Sequence, residues 1–418
     1  MMPFVRVLLT ASALVAVCST AAAQPMAFED VVRNLRNPDP KLRMSALQLL
    51  HDAKYPEAII PIAALIKDPV NEIQLEAIDA ELSFFLADTV TTKSRVAFVV
   101  EVRSEGRAAK AFEMGPMVAL PKPVPQEVVR ALLEAVDDET PHVRVEALYT
   151  LGVIGRGPLT GDEGAMLIKA LDHYDPAIRA IAARVIGRLG AEKAGDALVI
   201  AMNDSNAQVR FAAMRALGNT REVGAVKALT EQFQFHRKGE GAWSALDALA
   251  RIADPSSAEL FKGQLAHKDP NIRRAAAEGL GRTGDKSEIE TLVTMASNDE
   301  SEMVRAASAF TLQKFGENYL TRLVDFLDSD KMAPQVQAYL FELGTPAAAA
   351  LVPRLLEPDE GIRKHVVEVL GGIGDETTVA ELTPLLKDRD KNVAKAAKLA
   401  IDRIRTRSSD RGVLSTAR

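Results

Sequence analysis

An arginine recurs along this chain at nearly even intervals, always inside one pattern. An acidic residue or an Asp-Pro pair comes first, then an aliphatic residue and the arginine. A small residue follows three positions later, an aliphatic one seven positions later, and often a glycine after that. Asp175-Pro176, Ile178-Arg179, Ala182 and Ile186-Gly187 show it in full, as do Asp269-Pro270, Ile272-Arg273, Ala276 and Leu280-Gly281. Asp204 with Val209-Arg210, Ala213 and Leu217-Gly218 fits equally well. Small changes separate these from the units around Arg144, Arg305 and Arg363. With the arginine as a register mark, the pattern falls at 43, 74, 144, 179, 210, 242, 273, 305, 333, 363 and 394. Gln74, Ala242, Ala333 and Ala394 stand where arginine is missing. Apart from the jump from 74 to 144, the marks lie 28 to 35 residues apart. A supersecondary unit repeated at such a period makes a solenoid.

The unit is helical. Asp favours the N-cap and Pro the first helical position, so Asp-Pro starts a helix. Counted from the mark, positions −1, +3, +7 and +10 form one apolar stripe. Glycine at +8 or +11 ends the helix or admits a neighbouring backbone. A second amphipathic helix lies between marks, as at 56–67, 126–136, 256–266, 287–296 and 378–387. One such hairpin cannot bury its apolar face alone, so neighbours must stack. The Asp and Arg residues are expected to form a ladder of exposed pairs between adjacent repeats. Each pair would be worth ~0–1 kcal/mol and would set register more than stability.

The pattern resembles the HEAT-repeat superfamily, in the short variety also called PBS-lyase HEAT-like repeats, over about residues 27–404. The resemblance implies an all-α, right-handed α-solenoid of about eleven helical hairpins, over 24–404, with the marked helix of each hairpin on the concave side. It implies little about function, because most members are scaffolds with diverse roles. Two enzyme groups share the repeat. Deoxyhypusine hydroxylases bind iron through paired His-Glu motifs. Here His51, His142, His173, His236, His267 and His365 are scattered, with no second His three or four residues on and no adjacent Glu. Bilin lyases have no short signature that this chain matches.

Composition narrows the function further. Hydrophobic residues make up 47% and charged residues 26% of 418, an ordinary globular balance. Aromatics are only 5%, which suits small-residue helix packing. A net charge of −6 offers no basic excess for nucleic acid. The first 23 residues read as a signal peptide, with Arg6, an apolar run over 7–17 and Ala21-Ala22-Ala23 before Gln24. That run is too short to span a bilayer. A lipoprotein anchor at Cys18 would have Val17 where a small residue is wanted. The expectation is an exported protein, periplasmic or secreted after cleavage near Ala23-Gln24. Cleavage removes the one cysteine and with it disulfide or thiolate chemistry. No other run approaches 18 apolar residues, so no integral membrane span is expected.

The repeat breaks twice. Residues 88–124 form an insertion in which Arg95-Val96-Ala97-Phe98-Val99-Val100-Glu101-Val102 is β-prone, Ala108 to Met114 follow a Ser104-Glu105-Gly106 turn, and a Pro-rich linker ends the segment. A small β-hairpin is favoured, with a degenerate helix or a loop as alternatives. At 233–241 no Asp-Pro turn appears and Ala242 replaces arginine, so a rung should be missing there. A polar tail over 405–418 is expected to be disordered.

No catalytic, cofactor-binding or metal residue stands out, and no enzyme is expected. The phosphate loop G-x-x-x-x-G-K-[ST] and the G-x-S-x-G elbow are absent. Asp137-Asp138-Glu139 and Asp328-Ser329-Asp330 lack the spacing of a calcium loop. Positions +1 and +5 lie opposite the buried stripe and carry the candidate partner-binding residues Tyr149, Arg184, Phe211, Arg215, Trp243, Arg274 and Phe310. Aromatics and Arg are common interface anchors. These residues suggest an exported scaffold that binds a protein or peptide along its concave face. A lyase-like enzyme using the groove or the insertion, and an architectural spacer, are the alternatives.

Overall fold

Each register mark falls on a helix of its own. The computed structural model describes residues 27–86, 106–115, 118–120 and 122–416. The marked helices are α1 (Pro40–Ala53), α2 (Asn71–Phe85), α4 (Pro141–Ile154), α5 (Pro176–Leu189), α6 (Ala207–Asn219), α7 (Gly239–Ile252), α8 (Pro270–Thr283), α9 (Glu302–Lys314), α10 (Ala333–Leu343), α11 (Glu360–Ile373) and α12 (Lys391–Thr416). A further helix, α3 (Arg107–Glu113), belongs to the insertion. The segments between marks fold into shorter outer helices, several tightened into 3-10 turns, such as Ile59–Ala63 followed by Ala64–Lys67. The fold is an all-α repeat array with one continuous apolar core.

The local chemistry places these helices where the sequence expects them. Asp39, Asp175 and Asp269 cap α1, α5 and α8, each accepting a backbone N–H two residues on, with proline at the first helical position. The apolar stripe is buried, as Ile178, Ala182 and Ile186 show. Glycine at +8 lets consecutive marked helices touch backbone to backbone. A Cβ at Gly218 would lie 2.7 Å from the Ala248 Cα, and one at Gly281 3.0 Å from the Thr311 Cα.

The ladder forms, but it is not exposed. The Arg273 Nε and Nη2 donate to Asp299 at 2.9 Å each, and Arg179 binds Asp204 at 2.7 and 2.9 Å. Arg43–Asp68 and Arg363–Asp388 repeat this two-pronged geometry, and Gln74 donates to Asp138 at 2.8 Å. In each arginine pair the Asp stands six residues ahead of the next mark. The arginine's Nη1 meanwhile holds carbonyls of its own turn, His267 and Lys268 for Arg273. Arg43, Arg273 and Arg363 are buried. Burial follows because the guanidinium sits between two turns. The Asp204 carboxyl is held below its usual range chiefly by the Arg179 hydrogen bond, and Asp388 likewise by Arg363. The expected gap after Arg210 is real: His236 stands at the acceptor position, and Arg210 binds the Asp204 and Ser205 carbonyls of its own turn.

The insertion differs from the favoured hairpin. Residues 87–105, including the β-prone stretch, lie outside the described residues. Residues 107–113 are helical, with Ala108, Ala111 and Phe112 buried against α4. Three alanines together with Arg107 and Lys110, all good helix formers, favour helix over strand once Phe112 has an apolar surface to cover. Leu120 N–H donates to the Phe85 carbonyl at 2.7 Å, so the segment returns to the end of α2. At the other end, α12 continues to Thr416, through the region expected as a disordered tail. Arg407 ties it down by donating to the Gly372 and Gly374 carbonyls.

Candidate functional site: a basic lumen

The marked helices bend round until helices from distant parts of the array line one cavity of about 1040 Å³. Phe112 and Glu113 of α3 share it with Asn392 and Arg403 of α12. Its charge is lopsided. Arg184, Arg188, Arg215, Arg251, Lys364, Lys395 and Arg403 line it, against only two carboxylates, Glu113 and Glu368. The rest of its wall is small or apolar (Ala212, Ala338, Phe341, Leu399) with three amides, Asn219, Gln337 and Asn392. A protein of net charge −6 thus carries a cation-rich cavity, in which Arg215 pairs with Glu240 and Arg251 with Asp247 at 2.9 Å each, carboxylates set back from the lining.

Arg188 is the cavity cation held most closely by the insertion. Its Nη2 donates to the Phe112 carbonyl at 2.6 Å, its guanidinium lies 3.5 Å from the Phe112 ring centre, and its buried Nη1 has no hydrogen-bond partner. Burial, with Arg184 beside it, pushes its pKa down to about 10. Burial also lowers Arg403. Arg184 ion-pairs with Glu113 and donates to the Tyr149 hydroxyl at 3.1 Å.

The seven expected partner residues separate into three groups. Arg184 and Arg215 face the lumen, and the Arg215 side chain is 53% exposed, bonding Glu240 at 2.9 Å. Tyr149, Phe211 and Trp243 are half-buried seam fillers. Tyr149 packs on Phe112 with ring centres 5.4 Å apart, and Phe211 on His236 at 6.4 Å. The Trp243 indole N–H donates to Asp269 at 2.6 Å, joining its repeat to the next. Arg274 and Phe310 lie inside the fold, which corrects their placement on an open groove. Arg274 donates to Asp247 at 2.9 Å and to Glu278 at 2.5 Å. Phe310 is 0% exposed and stacks on Tyr339, ring centres 4.4 Å apart. The reason is curvature: α8 and α10 close over α9, and Tyr339 donates to Glu278 at 2.6 Å. Burial alone would raise the Glu278 carboxyl, but Arg274 and Arg282 outweigh it and hold it below its usual range.

Position +9 carries polar side chains that +1 and +5 leave out, of which Arg188, Asn219, Arg251 and Arg403 line the cavity. Arg188, Asn219, Arg251, Arg282 and Lys314 occupy it in five successive marked helices, and Arg403 in the last. It lies one helical turn beyond +5, on the same face. The register contained this stripe.

A family model described as HEAT repeats matches residues 164–236, 236–313 and 348–414, more than half of the chain. Deoxyhypusine hydroxylase of Arabidopsis thaliana is 26% identical over 202 residues, 46% of this chain and 63% of that protein. The chain therefore spans less than two thirds of that relative's length. The residues here do not fit an iron site of the paired His-Glu kind. His51 is engaged by Glu76 at 2.8 Å, and no group of three or more His, Cys, Asp or Glu residues converges among the described residues. Among solved structures, an engineered protein is 19% identical with a TM-score of 0.34, covering 90% of this chain and 98% of that one. The CpcE–CpcF complex of phycocyanin lyase from Nostoc sp. PCC7120 is 21% identical with a TM-score of 0.41, covering 59% and 96%. No helix among the described residues is long and apolar enough to cross a membrane. By its repeats and by the extent of the family match, the chain belongs to the HEAT-repeat family.

Proposed function

We propose that this protein is an exported interaction scaffold that holds a segment of another protein in its lumen. The observation that carries the reading is the lumen itself, where seven cations, three amides and apolar patches share one concave surface. Binding sites of this build combine an apolar wall with a few convergent polar groups. The HEAT-repeat membership supports a role in protein interaction. Export is supported by residues 1–23, whose charge, apolar run and A-x-A site read as a signal peptide. The scaffold reading is preferred to the enzyme suggested by the likeness to a hydroxylase because the six histidines of this chain are scattered and none has an adjacent Glu.

The test is affinity capture from the native compartment, followed by mass spectrometry of partners and of the mature N-terminus. A defined partner should be recovered by the wild type and lost by Ala338→Arg, which fills the lumen wall. The first residue found should be Gln24. Equal recovery by both proteins would remove the lumen from the reading.

A further inference from the structure

We infer that the segment held in the lumen is acidic and extended, with carboxylates about three residues apart. The inference rests on the scaffold reading and adds the chemistry of the occupant. Its first support is charge. Half-buried Arg188 on α5 and buried Arg403 on α12, helices from distant parts of the array, both line the lumen, where seven cations face only two carboxylates. A desolvated charge of this kind is costly until an anion meets it.

The second support is spacing. Arg184 and Arg188, Arg215, and Arg251 sit on α5, α6 and α7, three successive helices of one wall. Packed helices lie about 8–10 Å apart, and a chain in the extended polyproline II conformation advances about 3.1 Å per residue with every third side chain on the same face. An acidic side chain at every third residue would therefore meet each helix in turn. Asn219 on the same wall and Gln337 on α10 supply donors and acceptors for a peptide backbone.

The third support is a carboxylate already seated there. Glu113, at the end of α3, ion-pairs with Arg184 while Phe112 beside it packs under the same guanidinium, 5.0 Å from the ring centre. The insertion's own helix shows how an acidic residue docks on this wall. A nucleic acid fits less well. A cavity of about 1040 Å³ has no room for a duplex, and Glu113 and Glu368 would oppose a run of phosphates.

The experiment uses the full mature chain and fluorescence anisotropy with three labelled probes. One is a short peptide with Glu at every third residue among Gly and Ser. The second carries Gln in those places, and the third is a single-stranded oligonucleotide. The Glu peptide should bind at least about tenfold more tightly than the Gln peptide, with an affinity that falls as salt rises. Arg188→Gln with Arg403→Gln should weaken it about tenfold. Because Arg188 also packs against Phe112, a second variant uses exposed lining residues on α6 and α11, Arg215→Glu with Lys364→Glu. It should weaken the Glu peptide similarly, keep the wild-type helical signal and melting, and bind a matching Lys peptide instead. Equal binding of the Glu and Gln peptides overturns the inference, as does tighter binding of the oligonucleotide through the same residues. If no peptide binds yet capture still recovers a partner that Ala338→Arg loses, the acidic chemistry falls and the scaffold reading stands.

Discussion

Arg282 on α8 reaches past α9 to Glu342 on α10, Nε to Oε2 at 3.0 Å, although the two residues are two repeats apart. Lys314 of the intervening helix donates to the same carboxylate at 2.9 Å. This bridge closes the groove over Phe310. Phe310→Ala should therefore act as a core truncation and cost about 3–5 kcal/mol in urea unfolding. It should leave partner capture by the remaining folded protein unchanged, since the ring has no exposed surface.

Glu278 accepts from Arg274, Arg282 and Tyr339 in a nearly sealed site. Removing one member of a buried charge network strands the others, so Glu278→Leu should destabilise by about 3–5 kcal/mol. Its folded pKa lies below the ordinary glutamate value. The stability it contributes is present above that ordinary value and is lost as pH falls through the folded one. Unfolding midpoints measured from neutral to acid pH should fall steeply in the wild type and less steeply in the variant.

Glu81 behaves in the opposite sense. It occupies position +7, where every other repeat has Leu or Ile, and it is 0% exposed with neither carboxyl oxygen hydrogen-bonded. Burial raises its pKa well above the ordinary value. The folded state binds its proton more tightly than the unfolded chain does. Stability from this group is full below the ordinary value and is lost as pH rises through the folded one. Glu81→Leu should raise stability at neutral pH by about 1–3 kcal/mol and flatten the alkaline side of the profile. A melting series in matched buffers reads both effects.

Asp299→Asn removes the charge from one rung while keeping its shape. Arg273 keeps its two carbonyl acceptors and the amide oxygen, so the loss should be about 1–3 kcal/mol. Hydrogen exchange should then speed up at the seam between α8 and α9. In the wild type the fastest exchange among comparable seams is expected at 233–241, where Arg210 has no carboxylate rung and Ala242 cannot make one.

The register made the array legible, because caps, stripe and glycines are local and each was visible in the residues that form it. Asp175-Pro176 begins a helix whatever surrounds it, and Gly218 at +8 announces a close neighbour. What escaped depends on closure. Nothing near Phe310 says that Tyr339, one repeat later, will stack on it. Nothing near Arg188 says that Arg403 will line the same cavity. The +9 stripe was readable in principle, but its meaning as a lumen requires the bend. The ladder's burial was hidden for a similar reason: Arg273 finds its shelter in the turn at Asp299, which belongs to the following repeat. The helix at 107–113 is hard to tell from a strand in the sequence, because its buried face rests on α4, which the insertion's own residues do not specify.

The chain leaves the stack after Phe85 and rejoins it at Leu120, where the two residues share a backbone hydrogen bond. The excursion between them has its entrance and exit at one doorway. Outside α3, which packs on α4, its length can grow or shrink without shifting any helix downstream, since no register mark is carried in it. Such a joint makes this segment the natural place for relatives to differ, and the place where a tag, a sensor or a second binding module could be grafted while the spine keeps its count.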